Sequence, residues 1–284
     1  MGYKMDVTEL IKQSLREDIG SGDITTDSLE LVKTITQATI IAKEEGVIAG
    51  LNVFYEVFKQ VDSDIKITFY KRDGDKVINK EPIAKLEGNP VSLLKGERVA
   101  LNFIQRMSGI ATQTSRMVEQ LAGTDAKLLD TRKTTPMLRQ LEKYAVKVGG
   151  GFNHRFGLYD MIMLKENHIR AAGSITKAVQ MVNKNNCTYK VEVEVTNLEE
   201  LREAVEAKVD RVMLDNMSIE AMKQAVELYK GKVELEASGN VRLETIREIA
   251  NTGVDFISSG AMTHSYKSLD ISLLFREKKN EEES

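Results

Sequence analysis

Four runs with one rhythm decide the fold: KVEVEVT (190–196), DRVMLDN (210–216), KVELEAS (232–238) and VDFISSG (254–260). Each is a short apolar, strand-like stretch, and helical patterns follow most of them. A repeat of about 20 residues leaves room for one strand, one helix and two tight loops. AKLLD (126–130) and MIMLK (161–165) belong to the same series. Repeated strand–helix units predict a parallel sheet, either open or closed as a (β/α) barrel. Polar residues gather at the carboxyl ends of the runs: Asp130, Lys165, Glu194, Asp215, Glu236, Ser238 and Ser258. In a barrel those ends form the catalytic face, which favours a barrel with an active site at its mouth.

Strand side chains alternate faces, so in the run 191–195 the valines can cover the helix layer while Glu192 and Glu194 point inward. A carboxylate buried there needs a cation, a donor or a metal beside it. Val233-Glu234-Leu235-Glu236 repeats the pattern. Asp215 reads either as the N-cap of a helix starting near Ser218 or, with Glu194, as a ligand for magnesium or ribose hydroxyls. Ser238-Gly239-Asn240 and Ser258-Ser259-Gly260 each lie between a strand and a helix, where backbone amides either bind phosphate or close a routine turn. Met161, Met163 and Met213 read as core packing.

Upstream, residues 130–169 concentrate Arg132, Lys133, Arg139, Lys143, Lys147, His154, Arg155, Lys165 and His168 around the glycines at 149–151. Such a cluster suits a small, multiply charged anion. Arginine's planar fork matches carboxylates, whereas lysine serves phosphates as a movable point charge, so two kinds of anion are expected. GGGFN reads as a flexible approach to His154 and Arg155. Lys143 and Lys147, four apart in a helical pattern, are assigned to a solvated helix face. His264 is left open between a diphosphate contact and a cap.

The first part of the chain follows another pattern. Asp6 and Glu9 open an amphipathic helix to about Asp18, GSGDITT (20–26) reads as a polar turn, and Thr36–Glu87 predicts a small, mostly antiparallel sheet. A long helix over Val91–Leu121 links two domains, placed at 1–110 and 111–267, with a tail at 268–284 packing back on the first. The end, REKKNEEES (276–284), reads as disordered.

The chain of 284 residues has a net charge of −3, which excludes the broad basic face of a nucleic-acid binder. Cys187 is the sole cysteine, so no intrachain disulfide or thiol-held zinc site is expected. No segment reads as a signal peptide or a membrane span, and a cytoplasmic protein is expected.

The stretch DTRKTTPMLRQLEKYAVKVGGGFNHRFGLYDMIMLKENHI (130–169) resembles the quinolinate phosphoribosyltransferase family. EDIGSGDITT, GERVALNFIQRMSGIAT, VEVEVTNLEE, VMLDNMS, LEASGNV and SSGAMTHS extend the likeness over nearly the whole chain, in the family's order. Met137 and Asn240 stand where glycine is common in the family. The resemblance implies an α/β fold with an N-terminal α/β sandwich and a C-terminal incomplete (β/α) barrel. It implies transfer of a phosphoribosyl group from 5-phosphoribosyl 1-diphosphate to quinolinate with decarboxylation, in de novo NAD biosynthesis.

It further implies a homodimer, possibly assembled further, in which Arg98 completes the partner's site. Arg132, His154, Arg155 and Lys165 match the quinolinate-binding group, and Lys133 and Lys165 match lysines near the diphosphate. Glu194 and Asp215 match acidic residues near the ribose hydroxyls and magnesium, and Ser238, Gly239, Ser259, Gly260 and His264 the phosphate loops. Three rivals share the fold. A Schiff-base aldolase would use Lys165 as nucleophile. A molybdenum-transport-associated relative would alter the NHR and ENH motifs, which stand intact here. A non-catalytic anion sensor has no need of Glu194 and Asp215.

Overall fold

The computed structural model describes residues 6–29, 35–185 and 188–275. In chain order the elements are α1 Val7–Ile19, α2 Ile24–Ser28, β1 Thr36–Ala42, β2 Gly46–Val47, α3 Leu51–Val61, β3 Lys66–Phe69, β4 Lys76–Val77, β5 Pro82–Gly88 and α4 Pro90–Glu119. There follow β6 Lys127–Leu129, α5 Arg139–Val148, β7 Ile162–Leu164, α6 Glu166–Ala172, α7 Ile175–Lys184, β8 Val191–Val195, α8 Leu198–Glu206, β9 Arg211–Asp215 and α9 Ile219–Tyr229. The last are β10 Glu234–Ser238, α10 Ile246–Ala250, β11 Phe256–Ser258, α11 Ala261–His264 and β12 Ile271–Phe275. Two compact units result: one takes the described residues up to Thr112 together with those from Lys267, and the other spans Gln113–Tyr266. Cys187 and the run 276–284 lie outside the described residues.

In the first unit an antiparallel sheet in the order β12-β1-β5-β3 carries the core. Alternation along β1 buries Ala38, Ile40 and Ala42 on one face. Helix α3 supplies Val53, Phe54, Val57 and Phe58 to the core, and Phe54 and Phe58 meet edge to face at 5.1 Å. Pattern reading did not single out this helix because it interrupts the strand-rich stretch 36–87. The segment 20–26 is more than a turn: Asp23 caps α2, accepting from the Thr26 amide at 3.1 Å. On α4, Thr112 and Ser108 accept from the Val47 and Ala49 amides at 2.8 and 3.0 Å, which satisfies backbone donors that the two-residue β2 leaves unpaired.

In the second unit six parallel strands run in the order β6-β11-β10-β9-β8-β7. All six sequence runs are strands. Among the described residues β6 and β7 do not pair with each other, which leaves the barrel incomplete. Register sorts the faces: Val193, Val212, Leu235 and Ile257 face the helix layer, and Glu192, Arg211, Glu234 and Glu194, Met213, Glu236 form successive inward rows.

Candidate active site

The carboxyl ends of the parallel strands surround a cavity of about 540 Å3. Lys165 follows β7, Glu194 lies in β8, Asp215 ends β9, Ser238 ends β10 and Ser258 ends β11. Arg132 and Lys133, from the loop after β6, and His154 and Arg155, from the loop after α5, line the same cavity. An adjoining cavity shares Lys133, Ser238, Gly239 and Ser258 and adds Ser259, Gly260 and His264. The candidate residues thus converge, with one exception. Arg98 belongs to the other unit, where it is exposed on α4.

Charges in the cavity are arranged in opposition. Lys165 forms an ion pair with Glu194, and its backbone amide donates to His168 Nδ1 at 3.0 Å, so His168 caps α6 and steadies the lysine. Ser218, not Asp215, caps α9; Asp215 instead accepts from Asn216 Nδ2 at 2.9 Å and faces the cavity. Burial and the neighbouring Arg132 charge both hold the Arg155 guanidinium below its ordinary pKa. Two guanidinium groups brought together in this way suit a carboxylate or another anion. Glu194 and Asp215 offer the hard oxygen donors that magnesium takes, and so fit it chemically.

Lys143 overturns its assignment to a solvated face. Its side chain is 1% exposed, forms an ion pair with the fully buried Asp130 and donates to the His154 carbonyl at 3.0 Å. Asp130 also accepts from the His154 amide at 2.8 Å, so both backbone groups of His154 are clamped. Helical spacing alone could not distinguish α5's two faces, because Lys147 is exposed as expected. The glycines at 149–151 line neither cavity. They end α5, with Gly150 at φ +90° and the Gly151 amide returning to the Val146 carbonyl at 3.0 Å. Met163 and Met213 are buried, yet they form part of the cavity wall.

His154 rests on two glutamates. Its Nε2 lies 3.0 Å from Glu192 and 3.5 Å from Glu236, both fully buried. Burial disfavours a charged imidazole, but the carboxylates outweigh it and move His154 up to about 9. The Arg155 amide, 2.7 Å from Nδ1, favours a neutral ring; two formal charges in a dry setting prevail over that one dipole. Burial and the neighbouring Glu236 push Glu192 up, whereas His154 and Arg211 bring Glu236 below its usual range despite burial. These three ligand-type residues cluster tightly, but Arg211 Nη1 already sits 3.0 Å from the Glu236 oxygen that faces His154. That oxygen is taken, which argues against a metal.

Two side chains occupy left-handed loop positions. Met137 has φ +67° and Asn240 φ +52°, a region where glycine is at ease and asparagine tolerated. A Cβ at Gly239 would run into the Asn216 side chain. The Ser259 hydroxyl is turned to the Val241 carbonyl at 2.9 Å and ties two loops together, while Thr263 donates to the Lys133 carbonyl at 2.8 Å. His264 Nδ1 lies 2.6 Å from the Ser265 hydroxyl at the rim. Asn216 and Thr263 lie inside the motifs VMLDNMS and SSGAMTHS but were not singled out from them, and Arg242, which lines the second cavity, lies outside every motif.

A family model for the quinolinate phosphoribosyl transferase C-terminal domain matches residues 110–274, and one for the N-terminal domain matches 23–108. The chain is 45% identical over 270 residues to a probable nicotinate-nucleotide pyrophosphorylase (carboxylating) of Bacillus subtilis, covering 95% of this chain and 93% of the relative. It is 45% identical over 288 residues to the mitochondrial quinolinate phosphoribosyltransferase (decarboxylating) 2b of Nicotiana tabacum, covering 94% of this chain and 82% of the relative. The nicotinate-nucleotide pyrophosphorylase structure from Francisella tularensis superposes with a TM-score of 0.93 at 48% identity, covering 96% of this chain and 98% of that one. Matched in both domains and over nearly its full length, the chain belongs to the quinolinate phosphoribosyltransferase family.

Proposed function

We propose that this protein joins quinolinate to 5-phosphoribosyl 1-diphosphate, releasing nicotinate mononucleotide, diphosphate and carbon dioxide. One observation carries the reading: a single cavity holds the guanidinium groups of Arg132 and Arg155 together with Lys133, Lys165, Glu194 and Asp215. Arg132, Arg155 and the charged His154 would hold the two ring carboxylates, leaving the ring nitrogen facing C1 of the ribose. The bond from C1 to diphosphate breaks as the bond to nitrogen forms. Positive charge grows on the sugar beside Glu194 and Asp215, and negative charge on the leaving group beside Lys133 and Lys165. Ser238, Gly239, Ser259, Gly260 and His264 would border the phosphates. The ribosylated, cationic ring then accepts the electron pair left when the 2-carboxylate departs, and a proton replaces it at that carbon.

Glu194 and Asp215 would hold the magnesium that accompanies the diphosphate, which when bound neutralises charge on the leaving group. The working unit in this proposal is a homodimer with Arg98 reaching the partner's site; its exposure on α4 supports that role. A lone cysteine agrees with a reducing, cytoplasmic setting, and no described helix is long and apolar enough to cross a membrane. The test is diphosphate release, which is expected only when quinolinate, 5-phosphoribosyl 1-diphosphate and magnesium are all present. Release with nicotinate in place of quinolinate at equal efficiency would contradict the reading.

A further inference from the structure

Arg139 belongs to the cation cluster of residues 130–169, yet it lines neither cavity and has no direct part in the proposed reaction. It opens α5, where a cation opposes the helix dipole, so helix stability does not account for it. Its guanidinium is directed instead at uncharged oxygens of two different loops. Nε donates to the Thr134 hydroxyl at 2.9 Å and Nη2 lies 3.5 Å from the Arg132 carbonyl, both in the loop after β6. Nη1 donates to the Phe156 carbonyl at 2.9 Å, in the loop after α5. Asp160 closes the other side of that loop, accepting from the Phe156 and Gly157 amides at 2.6 and 3.0 Å. Both backbone groups of Phe156 are thus held, the carbonyl by Arg139 and the amide by Asp160.

The two loops carry the two guanidinium groups of the pocket, Arg132 in one and Arg155 in the other. Like charges repel, so this pair keeps a set separation only where the backbone beneath it is fixed. Arg155 is tethered within its own loop, where its Nη1 donates to the Met161 carbonyl at 3.1 Å. What joins that loop to the one bearing Arg132 is the planar fork of Arg139, which reaches both from a single rigid group as lysine's ammonium cannot. Lys133 has other anchors: its amide donates to the Thr131 hydroxyl at 3.0 Å, and its carbonyl accepts from Thr263 at 2.8 Å. We propose that Arg139 is a positioning residue that clips the loop after β6 to the loop after α5 and so sets the separation at which Arg132 and Arg155 receive a dicarboxylate. The clip governs the carboxylate end of the pocket and leaves the phosphate end to Lys133 and its separate anchors. This rests on the proposed function in one respect, that the ligand is a pyridine dicarboxylate.

The test measures phthalate binding by calorimetry and the KM of each substrate for the full-length wild type, Arg139→Lys and Arg139→Gln. Lysine keeps the charge and loses the fork; glutamine loses both. Each variant is expected to weaken phthalate by about tenfold or more and to raise the KM for quinolinate with it, the scale of a displaced binding group. The KM for 5-phosphoribosyl 1-diphosphate is expected to shift by less than about threefold, a split that general loosening of the fold would not produce. Adding Arg139→Gln to Arg132→Ala is expected to cost little further phthalate affinity, because the separation of the two guanidinium groups then no longer matters. Wild-type affinity in Arg139→Lys, equal loss for both substrates, or full additivity in the double variant would overturn the inference. If the Arg139 variants fail to fold, Thr134→Val removes the Nε acceptor and carries the same comparison, with phthalate expected to weaken by about threefold or more; unchanged affinity there would overturn the inference too. A wild type that binds phthalate but releases no diphosphate from quinolinate would overturn the underlying reaction instead, and phthalate binding would still judge the clip.

Discussion

The Lys143 ammonium and the Asp130 carboxylate form an ion pair sealed from solvent, and between them they hold both backbone polar groups of His154. Burial pushes Asp130 up and Lys143 down, and each is the main charge that opposes the shift of the other. Lys143→Met strands a buried carboxylate and is expected to cost about 3–5 kcal/mol. The double variant Lys143→Met/Asp130→Asn is expected to recover part of that loss. Urea denaturation with an unchanged slope checks both.

Met137 occupies a left-handed backbone position at φ +67°. Met137→Gly is expected to relieve strain and stabilise the fold by about 0.5–1 kcal/mol, less than the full left-handed penalty because glycine also loosens the unfolded chain. Asn240→Gly, at φ +52°, is expected to be nearly neutral since asparagine tolerates that region. Denaturation midpoints of the two variants, measured together, separate the cases.

Gly239 has φ +93° and no room for a Cβ beside Asn216. Gly239→Ala is expected to displace the loop after β10 and lower kcat/KM for 5-phosphoribosyl 1-diphosphate by about tenfold or more, corresponding to a displaced binding group. Asn216→Ala/Gly239→Ala removes the obstruction and is expected to restore part of the activity, as steady-state kinetics would show.

His154, ordinarily near 6.5, is raised to about 9 by the glutamates beneath it. A raised value means the folded state holds this proton more tightly. Its stabilising contribution is therefore complete below about 6.5 and is lost as pH rises through about 9. The KM for quinolinate is expected to stay flat around neutral pH and to climb above about 9, and the climb should vanish in His154→Gln. A pH series of KM values on both proteins decides it.

The barrel was legible because strand–helix repetition is a strong signal: KVEVEVT and KVELEAS reveal both a strand and its inward acids, and β8 and β10 follow. The strand-end chemistry was legible for the same reason, since Lys165, Glu194, Asp215 and Ser238 sit where a barrel presents its site. What escaped was support from across the fold. The burial of Lys143 depends on Asp130, thirteen residues away, and Glu192 and Glu236 meet His154 from separate strands, so no local spacing encodes either pairing. The glycines at 149–151 misled because helix termination and ligand approach draw on the same freedom of backbone.

The central claim is that one site both transfers the phosphoribosyl group and drives loss of the 2-carboxylate. Quinolinate carrying carbon label at the 2-carboxyl or at the 3-carboxyl position, turned over with 5-phosphoribosyl 1-diphosphate and magnesium, tests it most directly. The account predicts labelled carbon dioxide from the 2-carboxyl substrate alone, in step with diphosphate, and loss of both products in Lys165→Ala. Diphosphate release without labelled carbon dioxide, or label released from the 3-carboxyl position, would contradict it.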